Sequence, residues 1–158
     1  MADFSHYTAQ AVTDATTTEY SFVALYGDPS LVVAPCSKEN LPFYINSLRR
    51  NLIESAGREE AGTIKVADQT AESIIAEEQA AMAADRDDIG RFCVKGWGKK
   101  PPIDSTGKTP EFTQEEGMAF VAALPPEQFT PFRNFLRNVY NFTPRSPLDD
   151  DIIEKVGN

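Results

Sequence analysis

The run YSFVALYGDPSLVVAP, residues 20–35, is the strongest strand pattern in the chain. β-Branched, aromatic and aliphatic side chains stand on both sides of Gly27-Asp28-Pro29, a turn-forming cluster, so the stretch predicts a β-hairpin. After residue 35 the patterning is mainly helical. The combination predicts an α+β fold: an N-terminal β-hairpin or small antiparallel sheet packed with a mainly α-helical C-terminal part of three to five helices.

The first helix is predicted over residues 41–56, with Asn40 as its cap, Pro42 in its first turn and Phe43, Ile45, Leu48, Leu52 and Ile53 near helical spacing. Gly57 is its expected terminator, and REEAGTIKVADQ the loop that follows, with a brief extended piece at 63–66. Asp68 or Thr70 caps a second, Ala- and Glu-rich segment. Its apolar positions keep no single stripe and Gly90 interrupts them, so one long helix, or two broken near residues 85–88, is expected. Trp97 then anchors the helix end in the core, and Lys99-Lys100-Pro101-Pro102 with Gly107 makes the exit and turn. Thr113 and Glu116 form a capping box that opens a third helix, which stops before Pro125-Pro126. A fourth helix fits EQFTPFRNFLRNVYNF, with Phe129, Phe132, Phe135, Leu136, Val139 and Tyr140 on one face. The chain divides into a flexible arm at 1–18, a single α+β domain at 19–142 and an acidic tail at 143–158, with at most one short helix at 148–156.

At 158 residues, such a domain buries roughly 70% of its unfolded surface. A formal charge of −9 argues against nucleic acid, whose affinity comes from Lys and Arg replacing counterions. The N-terminus has neither a basic start nor an apolar run, so neither a secretory signal nor a membrane anchor is expected. Cys36 and Cys93, far apart in sequence, read as reduced cytosolic thiols and small buried side chains.

Gly107-Lys108-Thr109 imitates the end of a phosphate-binding loop, but the first glycine of that loop would fall at position 102, which is Pro102. Pro110 follows at once, so no helix N-terminus is aimed at a phosphate, and the segment reads as a polar turn. His6 has no metal-binding neighbours. The clusters at 85–88 and 149–151 lack the spacing of a calcium loop and read as solvated helix ends. No Ser, Cys or Lys sits in a nucleophile motif. The expectation is therefore a non-enzymatic protein with no catalytic, cofactor-binding or metal-binding residues.

The order of landmarks resembles that of the small tail assembly chaperones of long-tailed bacteriophages. The resemblance rests on Asn40 and Tyr44, the segment 85–88, Val94 and Trp97, residues 112–116, and Ala123-Leu124-Pro125, across roughly residues 20–142. It implies a factor of the host cytoplasm that binds the helical tape measure protein, and in some cases tail tube subunits, during tail morphogenesis, without cofactor, nucleic acid or membrane. It leaves homo-oligomer formation open. The expected docking groove is formed by the last two helices, through Phe120, Phe129, Phe132, Leu136 and Val139, with Trp97 as structural anchor. A second class, a small virion structural protein such as a connector, tail or decoration component, would use the arm and the acidic tail as interaction elements.

Overall fold

The structure, a computed structural model, describes residues 1–3, 16–61 and 70–143, the side chains of 58–61 excepted. Most of the expected arm and tail, His6, the extended piece at 63–66, the Asp68 cap and the acidic run at 149–151 lie outside the described residues.

The hairpin forms as the α+β reading expects. Strands β1 (Thr18–Ser21) and β2 (Ser30–Val33) pair antiparallel, from Thr18 opposite Val33 to Ser21 opposite Ser30. The strands are shorter than the apolar pattern suggests. The Phe22 N–H donates to the Pro29 carbonyl at 2.8 Å, and the residues between form a loop that leaves Val23 and Tyr26 exposed. Gly27 (φ 80°) and Asp28 (φ 48°) take the left-handed conformation that turns the chain back.

A third strand, β3 (Val94–Trp97), completes an antiparallel sheet in the order β1-β2-β3. Trp97 thus ends a strand rather than a helix. The preceding helix closes at Phe92 with Cys93 as its cap, and Val94, buried, pairs at once with Val33. The sheet is prolonged by Gly98, whose N–H donates to the Ser30 carbonyl at 2.8 Å. A Cβ on Gly98 would stand 2.2 Å from the Ser30 Oγ, so a glycine is required for this approach.

Among the described residues four α-helices accompany the sheet. Helix α1 (Leu41–Ala61) runs through Gly57, because the helix-forming residues that follow continue it. Helix α2 (Ala71–Phe92) is unbroken across residues 85–88 and opens with a reciprocal cap: Ser73 N–H to Thr70 Oγ1 at 3.1 Å and Thr70 N–H to Ser73 Oγ at 3.0 Å. Helix α3 (Gln114–Ala123) starts where the Thr113 hydroxyl accepts the Glu116 N–H at 3.1 Å. Helix α4 (Pro126–Arg137) is shorter than its apolar period suggests; Asn138 ends it and caps a 3-10 turn at Val139–Asn141.

The core lies between the sheet, the end of α2, and α3 and α4. Tyr20 and Phe22 from the hairpin meet Phe132 at ring-centroid distances of 5.0 Å each, and Tyr20 also meets Phe135 at 4.9 Å. Leu31, Val33, Ile89, Val121, Phe129 and Leu136 fill the rest. Full burial of each such side chain contributes about 1.5–3 kcal/mol. Most of α1 stands outside this core.

Candidate partner-binding face

The groove expected from the last two helices is filled by the protein itself. Phe129, Phe132 and Leu136 are each 0% exposed, because Tyr20 and Phe22 and the buried face of β2 cover the apolar side of α4. These three are core residues and offer no surface to a partner. Phe120 and Val139 are half-buried and pack on the rim of the same core. Phe120 also lines an open depression with Leu25, Tyr26, Pro102 and Ile103.

Trp97 is half-buried, with its ring edge-on to Phe112 at 5.1 Å and its indole N–H donating to the Pro110 carbonyl at 2.8 Å. It holds the exit loop against the start of α3. Within that loop the Asp104 carboxylate accepts the N–H groups of Thr106 and Lys108, at 2.8 and 3.1 Å, and the Thr106 hydroxyl at 2.6 Å. Those bonds, the Thr106 hydroxyl first, hold the Asp104 carboxyl below its ordinary value. The N–H groups that a phosphate would need are therefore occupied by a carboxylate of the chain itself.

Residues 85–88 are not solvated helix ends but the ionic seam that joins α2 to its neighbours. Buried Asp88 accepts from Arg50 of α1 at 2.8 Å and from Asn46 at 3.0 Å. Asp85 accepts from Arg133 of α4 at 2.9 Å. Arg86 donates to the Val121 and Leu124 carbonyls at 2.8 and 2.7 Å, closing the end of α3, and lies 4.4 Å over the Phe129 ring. Burial raises the Asp88 carboxyl above its ordinary value, more than the Arg50 charge lowers it.

Cys36 and Cys93 come together. The Ala34 N–H donates to the Cys93 carbonyl at 2.7 Å, and the Cys36 N–H to the Leu136 carbonyl at 2.8 Å. The Cys93 thiol donates to the Pro35 carbonyl at 3.8 Å, the group bonded to the Cys36 nitrogen, which makes the two cysteines neighbours, with Cys93 buried and Cys36 half-buried. The Asn40 amide reaches the Cys93 sulfur at 3.8 Å and donates to the Phe92 carbonyl at 3.0 Å, while its buried Oδ1 has no partner among the described residues.

The apolar surface left uncovered lies on α1. Leu41, Ile45, Leu48 and Leu52 follow one another at intervals of four, three and four residues, which places them in one row along the helix. All four are exposed, from 44% for Leu48 to 71% for Leu52, and Tyr44 and Ile53 flank the row. Ile74 and Ile75 are exposed on α2. Among the described apolar side chains of α1 only Phe43 packs against the core. The spacing of this row was legible in the sequence; that nothing within the described fold covers it was not.

Among the described residues no group of three His, Cys, Asp or Glu side chains could hold a metal ion, and no helix is long and apolar enough to cross a membrane. No family profile, curated protein or solved structure matches the chain.

Proposed function

We propose that this chain is a non-enzymatic tail assembly chaperone of a long-tailed bacteriophage, acting in the host cytoplasm by docking an amphipathic helix of the tape measure protein on the exposed row of α1. The observation that carries the reading is that row. Leu41, Ile45, Leu48 and Leu52 repeat with the interval of a coiled-coil seam and stand in solvent. A partner helix laid along it would bury all four at once, over a length of about 17 Å.

Charge favours a different chain over a second copy as the occupant. Two copies with a formal charge of −9 each repel one another, and a seam this short does little to offset that. The landmark residues of the family likeness support the same reading from the structural side. Asn40 ties the start of α1 to the end of α2, Val94 pairs with Val33 in the sheet, and Trp97 and Thr113 fix the exit loop and the start of α3, so none of these four occupies the outer face of α1.

The reading is tested by mixing the purified full chain with a purified helical fragment of the tape measure protein of the same phage, followed by size-exclusion chromatography with light scattering. Co-elution as a mixed complex is expected. A homodimer that ignores the fragment would assign the α1 row to self-association. Recovery of the chain from purified virions at stoichiometric amounts would assign it to the virion instead.

A further inference from the structure

We propose that Cys36 and Cys93 are a peroxide-sensitive dithiol that closes to an intramolecular disulfide at the root of α1. The inference stands apart from the docking reading and rests on how the fold brings together two cysteines that are 57 positions apart in sequence, 93 − 36.

Three independent contacts build the pair. The hydrogen bond from the Ala34 N–H to the Cys93 carbonyl, 2.7 Å, sets the segment after β2 beside the end of α2 at the spacing of paired strands. The Cys36 N–H is fixed by the Leu136 carbonyl at 2.8 Å, which holds that residue's backbone beside the end of α2 and α4. The Cys93 sulfur lies 3.8 Å from the Pro35 carbonyl, which is bonded to the Cys36 nitrogen, so disulfide formation needs an approach of two neighbouring side chains rather than a movement of elements.

The two thiols are unlike, and the difference assigns their order of reaction. Cys36 is half-buried and so reachable by a small oxidant, whereas Cys93 is buried. The neighbouring Cys93 thiol, with a weaker attraction from Arg137, holds the Cys36 thiol below its ordinary value against the opposing effect of burial; the neighbouring Cys36 thiol and burial push Cys93 well above it. Asp85 opposes the effect on Cys36, and Lys95 and the Asn40 amide oppose that on Cys93. Cys36 is thus the attacking sulfur and Cys93 the resolving one.

The chemistry takes hydrogen peroxide as co-reactant. The Cys36 thiolate attacks one peroxide oxygen, the O–O bond breaks, and the second oxygen leaves as hydroxide and takes up the proton released by Cys36, giving water and a Cys36 sulfenic acid. The Cys93 sulfur then attacks the Cys36 sulfur and the S–O bond breaks; the hydroxyl leaves with the Cys93 proton as water. Two thiols lose two electrons in total, and the peroxide oxygens gain them. The resulting cross-link would pin the segment that leads into α1 to the last turn of α2.

The experiment treats the purified, reduced full chain with hydrogen peroxide under native conditions, then counts thiols in denaturant and measures the intact mass. The expected result is a fall from two thiols to none, with a monomer lighter by two hydrogens and fully restored by dithiothreitol. Cys93→Ser should stop at the sulfenic acid, trapped on Cys36 by dimedone; Cys93→Ala serves if the serine variant does not fold. Persistence of both thiols, oxidation of Cys36 to the sulfinic acid without a cross-link in the wild-type chain, or disulfides only between molecules would each overturn the proposal.

Discussion

Gly90 of α2 lies against Met118 of α3 so closely that a Cβ at Gly90 would stand 2.8 Å from the Met118 Cα. The atom in the way is backbone, so a side chain cannot rotate out of it. Gly90→Ala gains about 1 kcal/mol of helix propensity but forces the two helices apart, an overpacking cost of about 1–3 kcal/mol or more. A net loss of about 1–2 kcal/mol is expected in a urea titration; a stabilised variant would mean that α2 and α3 do not pack this tightly.

Phe132 is enclosed by Tyr20 and Phe22 and has no exposed surface. Phe132→Asp places an unpaired carboxylate in that pocket, with an expected cost above about 4 kcal/mol. Loss of the cooperative unfolding transition is the expected outcome. A native circular dichroism spectrum and an unchanged midpoint would return Phe132 to the surface.

Trp97 contributes through both its ring and its indole N–H. Trp97→Phe keeps an aromatic edge for Phe112 and loses the 2.8 Å bond to the Pro110 carbonyl, for about 1 kcal/mol. Trp97→Ala removes both and should cost about 3 kcal/mol, the low end for a large buried side chain because Trp97 is only half-buried. Equal losses for the two variants in denaturant titrations would contradict this division.

Asp88 titrates with a sign opposite to that of a simple ion pair. Its folded-state carboxyl is raised above the unfolded value, so it binds a proton more tightly when folded. That contribution favours folding in acid, below about pH 4, and is lost as pH rises through the folded-state value. Asp88→Asn keeps an oxygen acceptor for Arg50 and Asn46 and removes the titration. Urea titrations of wild type and variant at neutral pH and near pH 4 should show the wild type gaining on the variant as pH falls. A gap that closes on acidification would mean that the Arg50 attraction dominates.

The hairpin, the Thr113 and Thr70 caps and the stop before Pro125 were legible because each depends on neighbours in sequence. Strand β3 was not: Val94–Trp97 is four residues long and follows α2 without a turn signal, so its identity comes only from pairing with β2. Gly57 illustrates the reverse limit, since a glycine permits a helix end without requiring one. The burial of Phe129, Phe132 and Leu136 was not legible for a related reason. Period marks an apolar stripe on both α1 and α4, and only the tertiary fold decides that Tyr20 and Phe22 cover the one and leave the other open.

The α1 row is tested most directly by Leu48→Asp and Leu52→Asp, made singly and together, in an equilibrium titration of the full chain against the purified tape measure fragment. Both side chains are exposed, so circular dichroism and the unfolding midpoint should stay at wild-type values. Burial of each leucine by a partner is worth about 1.5–3 kcal/mol, so each single variant should weaken binding about tenfold or more. Unchanged affinity in the double variant, with the fold intact, would contradict the docking of a partner helix on α1.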